Sequence, residues 1–395
     1  MNPMTPPSEI GIKGYQIIRY QSKQTMELIV KPSEQRPKAC PCCGGGRLHS
    51  KGLYQRRARH LECFGRFSEL IVECRRFRCM ECHKSFVQPL PGILPGRHST
   101  EPFRERIYRD HHEGICGKRL AAIARLGSAT VERIYQQFTQ RKAKERLSRK
   151  CPEVLGIDEH TLHKGCRFAT TFCDLKRHRV FDIAEGKSAQ DLESFLKSLQ
   201  GRDKVRVVCM DMSASYRALV KQYFPHARIV ADRFHVIRLI QHHFMDLCRQ
   251  IAPSIKQHRG YLAALRKHPE RLTDLQRSRL DHLFLSHPAL RAIYDQLQRV
   301  CQLMRKKHQQ AIHCRPLAER FIQLISQLAN SHFAPLVTLA KTLDSWREEI
   351  ACMWRFTKNN GITEGFHRKM KLIQRRAYGF RNFNNYRLRV IAQCG

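Results

Sequence analysis

The apolar and polar positions split the chain into alternating strand-like and helix-like stretches. Residues 1–35 are polar, carry prolines and hold a single strand pattern at 26–30. Within 36–92, alternation across Glu69-Leu70-Ile71-Val72-Glu73 reads as a strand. Pro89, Pro91, Gly92, Pro95 and Gly96 punctuate a linker. Residues 98–148 read as helical and run into the charged stretch 141–150. From 153 the period changes to that of strands. The pattern predicts strands at 153–157, 167–174 and 179–184, the last two joined as a hairpin by Leu175-Lys176-Arg177-His178. A helix follows at 188–199, where Ser188 and Asp191 have capping-box spacing. A strand at 205–210, a helix at 214–223 stopped by Pro225, and a short strand at 228–231 complete this block.

Three strands, then helix, strand, helix, strand is the order of an RNase H-like core, which mixes an antiparallel hairpin with parallel crossovers. The predicted class is therefore α/β. From 233 to 355 the pattern is almost wholly helical, spaced by Pro253, Pro269, Pro288, Pro316 and Pro335. Apolar residues there recur at helical intervals, as in Leu317, Phe321, Leu324, Ile325 and Leu328.

Charge narrows the partners. Lys and Arg number 72 against 34 Asp and Glu, a net +38 over 395 residues, and the excess runs the length of the chain. A polyanion is the natural partner, nucleic acid the commonest. The bland alternative is a ribosome-like or membrane-surface protein. No run approaches the roughly 20 apolar residues of a membrane span, and no signal core opens the chain. The expectation is a cytoplasmic, nucleoid-associated protein without a membrane partner. In that compartment 17 cysteines do not read as disulfides. Some should bind metal, and the rest are small buried apolar groups.

The cysteine spacing identifies which. Cys40-Pro41-Cys42-Cys43-Gly44 and Cys79-Met80-Glu81-Cys82 each offer two thiolates on one tight turn. Cys40, Cys43, Cys79 and Cys82 then complete a tetrahedral structural zinc site, with Cys42 an alternative for one ligand. Cys63 and Cys74 lack partners at ligand spacing. Arg75, Arg76 and Arg78 flank the second pair and suit phosphate contact. Residues 119–135 have the look of a helix-turn-helix, with Gly127 between two short amphipathic helices and Ser128 placed to cap the second. Its turn is about two residues shorter than usual. Arg125, Thr130 and Arg133 are its candidate DNA contacts; an ordinary helical linker is the rival.

Three acidic residues carry the candidate chemistry. Asp158 and Asp211 each end an apolar run, and Glu364 lies in the first turn of a basic helix. A lone Asp after an apolar run more often caps or turns the chain. Two carboxylates on neighbouring strands plus one on a helix, in so basic a chain, instead fit a pair of magnesium or manganese ions about 3.5–4 Å apart on a scissile phosphate. Asp232 and His235 share a strand-to-helix junction; they orient substrate, support the metal ligands or cap the helix. Glu159 and His160 adjoin Asp158 and are expected to point elsewhere. Lys369, Lys371, Arg375 and Arg376 share the Glu364 helix as phosphate contacts, or as a solvated basic face.

These motifs together resemble the ISL-three type of bacterial insertion-sequence transposases in the DDE superfamily. The resemblance covers nearly all of the chain from Cys40. It rests on the Cys-Pro-x-Cys-Gly knuckle, Arg75-Arg76-Phe77-Arg78-Cys79-x-x-Cys82, Ile157-Asp158-Glu159 and Asp211-Met212-Ser213 with Tyr216. It continues through Ala231-Asp232-Arg233-Phe234-His235 and Glu364-Gly365 to Lys371-Leu372-Ile373-Gln374-Arg375-Arg376-Ala377-Tyr378-Gly379-Phe380-Arg381-Asn382-Phe383. It implies Asp158, Asp211 and Glu364 as the catalytic triad on an RNase H-like fold with a helical insertion. It also implies a zinc-binding N-terminus, a helix-turn-helix, and action on terminal inverted repeats. Phe366-His367 departs from it, standing where such transposases often carry Leu-Asn. The expected organisation is a tail (1–35), a zinc-ribbon-like domain (36–92) and a helix-turn-helix domain (98–148), then the first part of the core (151–240), an all-α insertion (241–356) and the C-terminal part of the core (357–395). The expected partners are double-stranded DNA, as element ends and target, and further copies of the chain. The rivals are a non-catalytic regulator derived from a transposase, a structure-specific nuclease of the same fold, and a basic RNA-binding structural protein that leaves the carboxylates unexplained.

Overall fold

The computed structural model describes residues 11–22, 24–147, 150–163, 166–307, 310–356 and 361–395. The chain forms two compact units, Met1–Arg141 and Lys142–Gly395.

The first unit is built on a five-stranded sheet of β1 (Tyr15–Ser22), β2 (Met26–Pro32), β3 (Leu48–Cys63), β4 (Arg66–Cys79) and β5 (Ser85–Val87). The order is β1-β2-β4-β3, with β5 also on β4; β2 and β4 run parallel and the other pairs antiparallel. Phe64 and Gly65 both take positive φ and close the β3–β4 hairpin, as a two-residue turn with right-handed strand twist requires. Alternate residues Met26, Leu28, Val30, Leu70, Val72 and Cys74 are buried on one face, together with Leu90 and Ile93. This corrects two expectations. Within the presumed tail, the strand expected at 26–30 forms as 26–32, and 15–22 is a further strand beside it, so both belong to this sheet. The presumed linker tucks Leu90 and Ile93 into its core, because alternating apolar residues gain more by burial than a tail or linker would gain by staying in water.

Three helices follow, α1 (Glu101–Glu113), α2 (Gly117–Ile123) and α3 (Ser128–Leu147). Thr100 caps α1 through its side chain. Leu120, Ala121, Ala124, Val131, Ile134 and Tyr135 bury against Phe103, Ile107 and Tyr108. The turn between α2 and α3 holds Arg125 at φ +47°. α3 begins at Ser128, so the Gly127 carbonyl, not a serine side chain, receives the N–H groups of Thr130 and Val131.

The second unit centres on another five-stranded sheet: β6 (Val154–His163), β7 (Arg167–Asp174), β8 (Arg179–Glu185), β9 (Val207–Met210) and β10 (Arg228–Ala231). Its order is β10-β9-β6-β7-β8; β6, β9 and β10 are mutually parallel, while β6–β7 and β7–β8 are antiparallel. α4 (Ala189–Ser198) and α5 (Ala214–Tyr223) make the crossovers. Ser188 and Asp191 form the full capping box at α4. β9 is buried along its whole length, as a central parallel strand covered on both faces should be.

Seven helices then run from α6 (Arg233–Ile251) through α7 (Arg259–Leu265), α8 (Asp274–Ser286), α9 (Pro288–Arg305), α10 (Ala311–Ala329) and α11 (Ala334–Ser345) to α12 (Arg347–Arg355). α6 is continuous across residue 240. Pro316 lies inside α10 rather than between helices, near enough to its start that few backbone hydrogen bonds are lost. These helices and the sheet share one hydrophobic cluster. Arg233 donates to the Met353 carbonyl at 2.8 Å, and Arg217 pairs with Glu349 at 2.9 Å while stacking 3.5 Å over Trp346. α13 (Gly361–Arg376) and α14 (Phe383–Cys394) return to the sheet. The Arg387 fork on α14 grips buried Asp182 of β8 at 2.7 and 2.6 Å.

Candidate functional site

The parallel register lines up three carboxylates. The last paired residues of β6, β9 and β10 are Ile157, Met210 and Ala231, matched rung to rung. The residue after each of these rungs is Asp158, Asp211 and Asp232. Carboxyl ends of neighbouring parallel strands, where the chain leaves the ladder, are where open α/β sheets place ligands. Asp158 was expected to end its strand. Instead β6 continues to His163, because Asp158 and the residues after it stay paired with β7.

Burial and charge set the state of this edge. Asp158 is only 13% exposed at its side chain. Burial, then the Asp211 charge, push its carboxyl up to about 7, against the pull of His235. His235 Nδ1 lies 2.7 Å from Asp232 Oδ2 and 2.6 Å from Asp211 Oδ1. One N–H cannot aim at both oxygens. It donates to Asp232, and Asp211 Oδ1 and Asp232 Oδ1 are buried without a hydrogen bond. Burial disfavours the imidazolium, but the two carboxylates outweigh it and raise His235 to about 10. Asp232 sits at the N-cap of α6 yet makes no capping bond; its carboxylate serves His235.

Asp211, Asp232 and His235 hold their ligand atoms within 4.8 Å of one another. Asp232 Oδ1, buried without a partner, and Asp211 Oδ1, held only by the His235 charge, are hard donors that suit a hard divalent cation. Glu364 stands apart from this group: it is exposed and paired with Arg368 one turn on at 2.9 Å. What α13 brings to Asp158 is His367, with Nδ1 3.7 Å from Asp158 Oδ2. Burial, then the Lys371 charge, lower His367 to about 4; burial, then the charges of His367 and Lys371, lower His160 to about 3. His160 is buried on the same side of β6 as Asp158, where the strand period of two sends residues i and i+2. The expectation that it points elsewhere is thus corrected; exposed Glu159 does point away.

In the first unit the four cysteines do converge. Cys40 and Cys82 sulfurs are 3.7 Å apart, Cys43 and Cys79 sulfurs 3.6 Å, and all four fall within 4.8 Å. A tetrahedral ion with metal–sulfur bonds of about 2.3 Å sets its sulfurs about 3.8 Å apart, so the set fits zinc. Gly44 and His83 close the two knuckles at positive φ. The backbone N–H groups of Cys43 and Cys42 lower the Cys40 thiol to about 7. At Cys82 the Lys84 N–H acts the same way, but burial and the other thiols outweigh it and the pKa rises. Four thiols this close cannot all ionise without a cation between them. Cys42 lies outside the group, exposed and bonded by Lys84 Nζ at 3.1 Å.

Arg75, Arg76 and Arg78 are exposed along β4. Arg125 stacks 4.3 Å over Phe67, and Arg133 reaches the Thr130 hydroxyl at 3.4 Å. Thr130 and Arg133, with Arg59, Arg97, Arg104, His98 and Glu69, line a cleft of about 400 Å3. Lys369, Lys371, Arg375 and Arg376 are exposed on α13, with Lys369 bonded to the Gln393 carbonyl. Sequence reasoning missed His367 and Thr171, which lie beside Asp158. The Phe366-His367 departure from the family pattern was the available signal.

No helix among the described residues is long and apolar enough to cross a membrane. A family model of the ISL3 type, described as transposase, matches residues 155–390. The transposase for insertion sequence element IS1001 of Bordetella parapertussis is 27% identical over 409 residues, covering 97% of this chain and 96% of that protein. A match that takes in β6 to β10, α6 and α13 together, and so every residue of the acidic edge, makes this chain a member of the ISL3 family of transposases.

Proposed function

We propose that the chain cleaves and joins DNA at the ends of an insertion sequence by a DDE mechanism on an RNase H-like core. The observation that carries this is the row of carboxylates following the last rung of three adjacent parallel strands. Asp158, Asp211 and Glu364 would hold two magnesium or manganese ions, and such ions, when bound, activate the attacking oxygen and neutralise the leaving one. Glu364 would join the edge by giving up Arg368, a rotamer change on an exposed side chain. Asp232 holds His235, which neutralises the edge until a cation does so. Water attacks the phosphodiester at the element end, and the freed 3′-hydroxyl then attacks target DNA at the same site. Lys369, Lys371, Arg375 and Arg376 would screen the scissile strand.

The first unit is the DNA-reading part in this proposal. Cys40, Cys43, Cys79 and Cys82 bind structural zinc; α2 and α3 act as the helix-turn-helix on terminal inverted repeats. Arg75, Arg76, Arg78, Arg125, Thr130 and Arg133 contact DNA, and the domain boundaries follow those read from the sequence, except that the 15–32 strands join the zinc-ribbon-like part and the boundary at 240 moves out of α6 to its end at Ile251. Holding two ends at once calls for more than one copy.

The test is a cleavage and joining assay on labelled duplex bearing the inverted repeats that flank the encoding locus, with magnesium or manganese. Wild type is compared with Asp211→Ala. Nicking at the repeat end and joined products, both lost in Asp211→Ala, are expected. Specific binding without cleavage would support a regulator, and cleavage without joining a nuclease.

A further inference from the structure

Behind Asp158 runs a buried file of hydrogen bonds that the carboxylate chemistry does not account for. Asp158 and His160 share one side of β6, and Thr171 on β7 is the cross-strand partner of Asp158. α13 supplies His367 over this patch, and α14 supplies Tyr386. The Tyr386 hydroxyl is 2.9 Å from His160 Nε2, and His160 Nδ1 is 3.0 Å from the Thr171 hydroxyl. That hydroxyl is 3.1 Å from His367 Nε2, and His367 Nδ1 faces Asp158 Oδ2 at 3.7 Å. Thr171, His160 and Tyr386 are all buried, Thr171 completely.

Donor counting gives the file a direction. A neutral imidazole carries one N–H, and a hydroxyl has one hydrogen to give. Suppose Tyr386 donates to His160 Nε2. Then His160 Nδ1–H donates to Thr171, Thr171 donates to His367 Nε2, and His367 keeps its proton on Nδ1, toward the carboxylate. Reversing every bond leaves the Tyr386 hydroxyl hydrogen with no acceptor, because among the described residues its oxygen meets only His160. A buried unmet donor gives up its bond to water and gains nothing in return. Reversal also aims the bare Nδ1 lone pair at an anionic oxygen. If Thr171 gave its hydrogen to Met370 Sδ instead, at 4.0 Å, the same lone pair would face Asp158. The first arrangement pairs every donor within the file and turns the one N–H left over, on His367 Nδ1, toward the carboxylate.

We propose that His367 is a positioning residue of the active site, presenting Nδ1–H to Asp158 and fixing the helix that carries Glu364 against the strand edge. It rests on the DDE reading for its purpose. At 3.7 Å the last contact exceeds hydrogen-bond length, so it orients the carboxylate and does not relay a proton. Tyr386, His160 and Thr171 act through His367, and their bonds favour the tautomer whose remaining N–H faces the carboxylate.

The experiment uses the full chain and two readouts. In metal-free protein at pH 9, where the Asp158 carboxyl is ionised, with 15N-labelled histidine, the His367 ring is assigned by its loss in His367→Asn, and long-range 15N–1H correlation reads its tautomer. Nδ1–H is expected; Nε2–H, or an imidazolium, overturns the proposal. In the cleavage assay Thr171→Val removes the hydroxyl at nearly constant shape. It should raise the half-saturating magnesium concentration or lower kcat by about 10–100-fold, the range for losing a support of a metal ligand, at unchanged DNA affinity. Thr171→Ser should restore the rate. An unaffected Thr171→Val, or a loss that Thr171→Ser does not rescue, overturns the proposal. A wild type that never cleaves defeats the DDE reading, and the tautomer measurement still decides the file.

Discussion

The thiols of the first unit and the carboxylates of the second both surround the space an ion would fill, and they are built in opposite ways. Each pair of cysteines sits on one short knuckle, closed by Gly44 or His83 at positive φ, and the sulfurs already stand at zinc spacing. Each carboxylate comes from a different strand, and the group remains open, with His235 supplying positive charge and Glu364 turned to Arg368. Soft ligands on local turns make a closed site that holds structure together. Hard ligands drawn from distant segments make an open one that a substrate can enter. The first depends on a few residues of sequence, the second on the whole fold of its unit.

Removing the ions should break the two sites unequally, and the thiol site has most to lose. If the four thiols hold zinc as proposed, a strong chelator, or Cys79→Ser, should release it and unfold the knuckles, since structural zinc supplies about 10–16 kcal/mol in comparable sites. Metal analysis of the purified chain, with limited proteolysis, checks this. Full resistance to proteolysis after complete zinc loss would show that the knuckles stand without an ion. Chelating magnesium should leave the second unit folded.

The next largest effect tests which carboxylates count. Glu364→Gln is expected to cut magnesium-dependent cleavage by at least about 10³-fold, the scale of several kcal/mol of lost charge stabilisation. Asp232→Asn, acting through His235, should cost only about 10–100-fold. Single-turnover rates at saturating DNA separate them. The reverse order would make the strand-edge Asp232, already beside Asp211, the third ligand, and leave Glu364 a partner of Arg368.

Local motifs were legible and long-range company was not, which follows from the same contrast. Ser188 and Asp191 form the capping box their spacing announced, β7 and β10 keep their expected limits, and the two cysteine pairs meet as read. Each depends on neighbours a few residues away. The polar second half of β6 did not look like strand, because what holds it there is pairing to β7 and cover from α13 and α14. β1 hid in a polar segment whose partner is β2. The carboxylates were visible as Asp after an apolar run. That Asp232 stands in the same row needed the strand register, and His367 needed a helix that arrives some 200 residues later in the chain.

If the acidic site depends on its fold, loosening the packing of its own unit should be felt there alone. Arg387→Ala removes the fork on Asp182 that docks α14 beside the site, leaving a buried carboxylate unpaired. Breaking such a pair costs about 3–5 kcal/mol when both ends are buried; Arg387 is partly exposed, so about 2–3 kcal/mol is expected. Urea unfolding of the second unit measures it. Cleavage should fall while zinc content stays at its wild-type level. An equal loss of zinc would mean that the two sites are not independently built.

The smallest effect concerns protons, which compete for hard ligands. Burial and the Asp211 charge raise the Asp158 carboxyl to about 7 in the metal-free chain. The unfolded value is about 3.9. A pKa raised by folding contributes stability that is complete below the unfolded value and is lost as pH rises through the folded one. The metal-free second unit should therefore lose some stability between about pH 4 and pH 7 at this residue, and a cation that needs the ionised carboxylate should return it above pH 7. At pH 6 about one Asp158 in ten is ionised and at pH 8 about nine in ten, so magnesium should bind about tenfold more weakly at pH 6. The midpoint of a magnesium titration, followed by thermal unfolding at the two pH values, reads this, and Asp158→Asn should abolish the difference. Zinc content should be the same at both, since the bound ion keeps its thiolates deprotonated. Equal midpoints in wild type would place the cation away from Asp158 and reduce the edge to Asp211, Asp232 and His235, a site nearly as local as the knuckles.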